Sequence, residues 1–162
     1  MAFLTRTPVL WSSFILFLLI GVGFGIFSGA IGGAYLDTLD GGEASRALIA
    51  SMTDAQRSAH FWVTVLLDTA YPLAYGALFA GLALRFLGRY GRLAALPALA
   101  VVVVDLTENM VQALALSGAA DALDAKDWLT PLKFGLFFLA AGIALVALLI
   151  AIVNWVRRRK SG

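Results

Sequence analysis

Cysteine is absent from this sequence, histidine occurs once, and only 14% of the residues are charged. Without cysteine the chain has no disulfides, no thiolate metal sites and no thiol redox chemistry, and its compartment stays open. The low charge, against about 25% in an average globular domain, argues against a soluble protein. The net charge of +2 gives no reason to expect nucleic acid as a partner, because the basic residues lie at the ends of apolar runs.

Long apolar runs account for most of the chain. Hydrophobic residues make up 61% of its 162 residues, and four runs exceed the roughly 20 residues that a helix needs to cross a bilayer. The sequence therefore predicts an all-α membrane protein, a single integral membrane domain over residues 1–162, folded as a bundle of four transmembrane helices. The predicted spans cover residues 9–34, 60–84, 94–116 and 129–156.

The segment between the first two spans, residues 35–59, is polar. Asp40-Gly41-Gly42 predicts a turn, and the apolar spacing over residues 44–52 predicts a short amphipathic helix in the first outer loop, lying at the membrane surface. Thr53 followed by Gln56 is a capping-box pattern, so the second helix should begin before its apolar part. The single histidine, His60, is expected at the membrane interface.

Charge is distributed unevenly among the connections. The head, the second loop and the tail carry bases and no acid, namely Arg6, Arg85, Arg89, Arg92, Arg157, Arg158, Arg159 and Lys160. The other two loops carry the acids Asp37, Asp40, Glu43, Asp54, Asp121, Asp124 and Asp127. By the positive-inside rule this pattern predicts a multi-pass protein of the inner (cytoplasmic) membrane of a bacterium, N-in/C-in with both termini cytoplasmic.

The first run has a glycine at every fourth position, and this stripe consists of Gly21, Gly25, Gly29 and Gly33. On one helix face such residues let another helix approach closely. We expect close helix packing there, with homo-oligomerisation as the minor alternative. A cleaved secretory signal is a competing interpretation of this run, since Arg6 precedes it and residues 28–30 resemble a cleavage pattern.

The third run carries polar side chains on one helix face. Asp105, Glu108, Asn109 and Gln112 are separated by three, one and three residues, which places them along a single wall of a helix. A charged side chain at the bilayer centre costs about 2.5–3.5 kcal/mol on insertion scales. These groups therefore need partners, protons or water.

The second run adds further polar groups. Asp68, Tyr71 and Tyr75 share a face, and Pro72 frees the backbone carbonyl near Asp68 from its helical hydrogen bond. A short loop makes the second and third spans antiparallel neighbours, and Lys133 at the start of the fourth is expected to reach Gln112 or Glu108. We therefore expect one acidic intramembrane cavity that opens outward and is lined by Asp68, Tyr71, Tyr75, Asp105, Glu108, Asn109, Gln112 and Lys133. Three acids against one lysine do not balance, so at least one carboxyl group should carry a proton at neutral pH.

Three functions remain open. The one we favour is binding of a small hydrophobic or amphipathic molecule, cationic or lipidic, with carboxylates for a cation and tyrosines for aromatic contact. The second is a proton- or cation-coupled transport or assembly subunit, which would need an oligomer. The third is a membrane isomerase that uses paired carboxylates as acid and base.

A structural role is the alternative to all three functions, since buried polar groups can hydrogen-bond to each other and fix helix register. The sequence has no recognisable nucleophile–base pair, phosphate loop or metal-binding triad. We therefore expect no metal and no cofactor, and we lean against an enzyme. The expected partners are the lipid bilayer and a small hydrophobic ligand.

The order of elements resembles that of the four-span emopamil-binding and sigma-2-receptor-like proteins. The shared features are a short first turn, a polar outer loop, acids in the middle helices and a basic tail. The likeness covers topology only, without a motif that aligns residue by residue, so no site residue is carried over. It favours ligand binding or isomerase activity over transport.

Overall fold

Four long helical segments dominate the structure, a computed structural model that describes residues 2–160. Within this range the chain has no β-strand. The segments Thr7–Phe27, Asp54–Phe86, Gly88–Ser117 and Leu123–Lys160 are each long and apolar enough to cross a membrane. The prediction of an all-helical chain with four helices able to span a membrane is confirmed.

The first span is helix α1, Thr7–Phe27. Pro8 stands in its first turn, where a missing N–H breaks no helical hydrogen bond. The helix ends before the predicted boundary at residue 34 because the chain turns after Phe27. Gly32 and Gly33 in that turn have φ angles of 91° and 96°, which glycine adopts without a Cβ clash.

The predicted glycine stripe is broken by this turn. Gly21 and Gly25 lie in α1, whereas Gly29 and Gly33 follow its end. A Cβ added at Gly21 would meet only the Tyr71 hydroxyl, 3.9 Å away, and a Cβ at the other three would meet nothing within 4 Å among the described residues. The predicted close packing of another helix of this chain along the stripe is therefore wrong.

The second span is one continuous helix made of three consecutive segments. Helix α3, Asp54–Val63, runs through a π-helical turn, Thr64–Asp68, into α4, Thr69–Phe86. Thr53 and Gln56 form both hydrogen bonds of a capping box at its start, as the sequence predicts. The helix therefore begins before the apolar part of the span.

The remaining helices complete the bundle. A short helix α2, Gly42–Ser51, lies in the first long connection, and α5, Gly91–Ala94, precedes the third span, α6, Leu96–Ser117. The fourth span is α7, Lys126–Lys160, with 35 residues. At 1.5 Å per residue α7 is about 52 Å long, so it is longer than a hydrocarbon core of about 30 Å.

Helix α4 is central to the packing. It contacts α1, α6 and α7, and α6 also contacts α7. Towards the end of α4 the buried core consists of small side chains, which are Ala80, Ala83, Ala95, Ala98 and Ala140. Small residues let helix backbones approach closely, and close contact is the main source of association energy between helices in lipid.

The two acid-rich loops lie together at one end of the bundle. Arg46 of α2 forms ion pairs with Asp121 and Asp124, each at 2.7 Å. Arg57, near the start of α3, donates to the carbonyl of Leu116 at the end of α6. The loops are thus joined directly to each other and to the ends of the spans.

The basic connections lie at the opposite end. Arg85, in the last turn of α4, donates to the Thr7 hydroxyl at 2.9 Å and to the Thr5 carbonyl at 3.2 Å. The head of the chain and the second loop therefore meet at this end. The segregation of charge that the sequence implies is present in the folded bundle.

Candidate functional site

The polar wall of α6 faces the interior of the bundle. Asp105, Glu108, Asn109 and Gln112 have relative exposures of 5%, 0%, 3% and 0%. Asp68 of the second span is also buried, at 4%. The expectation that these five residues avoid lipid is therefore confirmed, and the question becomes what each of them contacts.

Glu108 is the centre of an ion cluster built with α7. Lys126 Nζ lies 2.7 Å from Glu108 Oε1, and Lys133 Nζ lies 2.8 Å from Glu108 Oε2. The Thr130 hydroxyl donates to Oε1 at 2.6 Å. Buried charges require paired, hydrogen-bonded partners, and Glu108 accepts two hydrogen bonds at Oε1 and has an ion pair at Oε2. The expected contact between Lys133 and Glu108 is confirmed.

A 3₁₀ turn of the first connection, Leu36–Thr38, covers this ion cluster, and we call it the Leu36 turn. Lys126 Nζ donates to the Leu36 carbonyl at 2.8 Å, and Lys133 pairs with the Asp37 carboxylate. The Leu36 N–H donates to His60 Nε2 at 3.3 Å. Leu36 itself is 0% exposed, so the turn is inserted into the end of the bundle.

His60 is buried in the bundle, at 1% exposure. Its expected position at the depth of the membrane interface stays a prediction. Its Nε2 accepts from the Leu36 backbone, so the ring is a partner of the inserted turn. Its Nδ1 has no hydrogen bond to any described residue.

A second polar group joins α6 to the second span. The Tyr75 hydroxyl donates to Asp105 Oδ2 at 2.6 Å, and Asn109 Nδ2 donates to the Asp68 carbonyl at 2.7 Å. In an α-helix that carbonyl would accept from residue 72, which is proline and has no N–H. The predicted release of the Asp68 carbonyl by Pro72 is confirmed, and Asn109 supplies the replacement donor.

An aromatic wall borders this second group. The Tyr71 and Tyr75 rings are 5.5 Å apart, Phe17 stacks on Tyr71 at 5.2 Å, and Phe79 lies 5.7 Å from Tyr75. The rings separate Asp105 from the apolar half of the bundle. The site thus has carboxyl groups on one side and aromatic surface on the other.

Several buried polar atoms at the site have no hydrogen bond to a described residue. They include Asp105 Oδ1, Asn109 Oδ1 and both side-chain amide atoms of Gln112. Leaving a buried polar group unsatisfied costs about 1–3 kcal/mol, so each unsatisfied atom needs a reason. Most of these atoms are acceptors, so the site is complementary to hydrogen-bond donors.

Charge is also unbalanced in this part of the bundle. Both lysine ammonium groups are engaged with Glu108 and Asp37. Asp68 and Asp105 form no ion pair with any described residue. Two carboxyl groups therefore remain that carry protons or take a cation from outside the chain.

Three carboxyl groups are close enough to suggest a metal. Single oxygen atoms of Asp37, Asp105 and Glu108 all lie within 4.8 Å of one another. The ammonium groups of Lys126 and Lys133 already occupy the space beside Glu108, and they repel a divalent cation. The donor set therefore does not fit a metal.

Seven of the eight residues predicted for the site take part in these contacts. Lys133 pairs with Glu108 in the first group, and the second contains Asp68, Tyr71, Tyr75, Asp105 and Asn109. The eighth, Gln112, is buried without a hydrogen bond to a described residue. Four residues with contacts at the site are absent from the sequence prediction, namely Asp37, His60, Lys126 and Thr130. A signal for two of them is present in the sequence. Lys126 and Thr130 precede Lys133 by seven and three residues and so share its helix face.

Comparison with known proteins identifies no relative. No family model, no curated protein and no solved structure matches the chain.

Proposed function

We propose that the protein binds a small amphipathic molecule inside the bilayer, with a cationic group of that molecule at Asp68 and Asp105. The observation that carries the proposal is the charge imbalance. Lys126 and Lys133 pair with Glu108 and Asp37, and the remaining two buried carboxyl groups have no cation among the described residues. A bound ammonium group would supply one.

The hydrogen-bonding pattern supports the same ligand chemistry. Asp105 Oδ1 and Asn109 Oδ1 are buried acceptors without a donor. An ammonium group offers several donors to such atoms, and the faces of Tyr71 and Tyr75 can add cation–π attraction. The apolar part of the ligand would then lie along the aromatic wall, as in pockets that combine apolar lining with few polar contacts.

The proposal includes an orientation. The basic connections lie at one end of the bundle and the acidic loops at the other, which supports an N-in/C-in arrangement in the cytoplasmic membrane of a bacterium. The Leu36 turn then covers the site from the outer side. Ligand entry from that side requires the turn to lift, because its contacts with Lys126 and His60 close the bundle.

Binding can be tested with two probes that differ only in charge. Protein in lipid nanodiscs is dialysed against radiolabelled decylamine or decanol, with empty nanodiscs as the blank. We expect saturable binding of the amine and only bilayer partition of the alcohol. Asp68→Asn and Asp105→Asn, which keep side-chain shape, should each weaken amine binding at least about tenfold, since a charge-assisted contact is lost.

The matched control is Asp40→Asn, because Asp40 is an exposed acid in the first connection. It should bind the amine like the parent protein. Equal saturable binding of decanol and decylamine would contradict the proposal, and so would an equal loss in the Asp40 variant.

Proton- or cation-coupled transport is the second candidate, and the same two unpaired acids favour it. It is distinguished in proteoliposomes that contain a pH-sensitive dye. Amine-dependent proton movement that disappears in Asp68→Asn and Asp105→Asn would replace the binding proposal by transport. Saturable binding without proton movement supports a binding protein.

A further inference from the structure

A second site lies in the half of the bundle away from the acidic groups. It is an apolar groove of about 550 Å³ formed by residues of α1, α4 and α7. Its walls include Leu10, Phe14, Leu78, Ala144 and Leu148. None of the polar residues of the acidic site lines it, and the two sites share only Phe17 and Phe79 of the aromatic wall.

The size of the groove selects among occupants. It follows α1 from Thr7 to Phe17, about 15 Å at 1.5 Å per residue. Its volume of about 550 Å³ falls within the range of about 300–1,000 Å³ that is typical of small-molecule pockets. A single hydrocarbon chain is an occupant of that size.

The length fits the same occupant. About 15 Å is half of a hydrocarbon core of about 30 Å, which is the depth of one leaflet. Phe17 and Phe79, whose ring centres are 6.4 Å apart, line the inner part of the groove. A chain that enters at the Thr7 end therefore reaches the aromatic wall near the bilayer centre.

The mouth of the groove is polar and positively charged. Arg85 and Thr7 line it, and Arg85 Nη1 donates to the Thr7 hydroxyl at 2.9 Å. Both hydrogen bonds that this guanidinium donates to described residues come from Nη1. Nη1 carries only some of the five N–H donors of an arginine side chain. Arginine matches phosphate geometry and holds it by charge-assisted bonds.

We propose that the groove binds one acyl chain of an anionic phospholipid, whose phosphate is held by Arg85 at the mouth. The apolar walls of the groove contact the acyl chain, and Arg85, the cation that lines the mouth, pairs with the anionic headgroup. In the orientation proposed above the mouth faces the cytoplasmic leaflet, where anionic lipids are concentrated.

Trp11 provides the probe, because it lines the groove. Trp62, Trp128 and Trp155 are at least half exposed and can be changed to phenylalanine to leave Trp11 as the single tryptophan. The protein is reconstituted with lipids brominated in the acyl chains, either phosphatidylglycerol or phosphatidylcholine, and the quenching of Trp11 fluorescence is measured.

We expect brominated phosphatidylglycerol to quench Trp11 at about tenfold lower mole fraction than brominated phosphatidylcholine. Both lipids have a phosphate, but in phosphatidylcholine the choline ammonium compensates its charge and weakens the attraction to Arg85. Arg85→Gln should make the two lipids equal, and Arg85→Lys should retain a preference. Arg89→Gln is the matched control, because Arg89 is an exposed base at the same end that does not line the groove, and it should leave the preference intact.

A further pair of variants tests the chain site itself. Ala141→Phe fills the groove and should remove the saturable part of the quenching, whereas Val146→Phe, on a residue of α7 outside the groove, should not. Equal quenching by both lipids in the parent protein overturns the proposal, and so does an equal effect of Arg85→Gln and Arg89→Gln. If quenching falls as the protein-to-lipid ratio rises, a second copy of the chain occupies the groove and the proposal is overturned.

Discussion

At the end of the bundle that carries the acidic loops the core is polar, and at the other end it is made of alanine. Glu108, Lys126 and Thr130 are each 0% exposed in the first, and Ala80 and Ala98 are 0% and 1% exposed in the second. The alanine end gains stability from close contact of backbones in lipid. The polar end requires that every charge has its partner.

The two ends differ in how strictly their contacts fix the arrangement of the helices. The alanine core requires small side chains on the facing helix surfaces, but it has no charge that must meet one particular partner. An ion cluster with three contributing elements, α6, α7 and the Leu36 turn, is satisfied in one arrangement only, because a shift of one residue leaves a charge unpaired. A large energetic sensitivity is therefore expected at the polar end.

The largest effect is expected from Glu108→Gln. It removes the charge that compensates Lys126 and Lys133, and breaking a buried pair costs about 3–5 kcal/mol. The free energy of unfolding, measured by SDS titration in mixed micelles, should fall by that amount. Thr107→Ala, at the neighbouring exposed position, should change it little.

The same end can be tested by removing the charges together. A variant with Glu108→Met and Lys126→Met loses one charge of each sign and leaves Lys133 paired with Asp37. Apolar replacements of a buried ion pair are often neutral or stabilising, so this variant should recover most of the stability lost in Glu108→Gln. A double variant less stable than Glu108→Gln would show that an uncompensated charge is not what destabilises this end.

A smaller effect is expected at the alanine end. Ala98 is 1% exposed against its neighbours, and adding a larger side chain to a packed core typically costs about 1–3 kcal/mol. Ala98→Leu should lower the free energy of unfolding in the same assay, and Val103→Leu, at a position that is 65% exposed, should not. Equal effects of the two would show that close packing does not stabilise this end.

The smallest effect is expected where the two acidic loops meet in solvent. The hydrogen bond from Arg46 lowers the pKa of Asp121 below its ordinary value of 3.8. A carboxyl with a lowered pKa contributes its stability above the ordinary value, and the contribution is lost as pH falls through the lower value. Hydrogen exchange at the Leu123 amide, which donates to Asp121 Oδ1, should therefore accelerate below about pH 4 relative to the intrinsic rate.

Arg46→Gln provides the control for the pH effect. With the guanidinium removed, most of the pH dependence of Leu123 exchange should disappear, and exchange should already be fast at neutral pH. If the pH profile of Leu123 exchange is unchanged in this variant, the amide is protected by the backbone alone and not by the Arg46–Asp121 pair. Because both partners are exposed, global stability should stay close to that of the parent protein.

Features with a local period could be predicted from the sequence. The polar wall of α6 follows from the spacing of Asp105, Glu108 and Asn109, and the freed carbonyl of Asp68 follows from Pro72. Both are consequences of helix geometry alone. The number of spans follows from the length of the apolar runs.

Apart from the contact between Lys133 and Glu108, features that depend on contacts between distant segments could not be predicted. The Leu36 turn inserts because Lys126 and His60 satisfy its backbone groups. Every residue has a backbone carbonyl, so the sequence does not indicate which carbonyl accepts a hydrogen bond from a distant side chain. Lys126 lies before the predicted start of the fourth span at residue 129, among the acidic residues of the preceding loop. Its distance from Thr130 and Lys133 on one helix face was the available signal.

The ion cluster has a consequence for how this chain is made. Every side chain that compensates Glu108 belongs to α7, which is synthesised after the third span. The carboxyl group therefore enters the membrane before its counter-charges exist, and until α7 arrives it stays neutral by holding a proton or remains with water at the translocon. Ribosomes stalled before Lys126 should thus hold a third helix that is not yet committed to lipid.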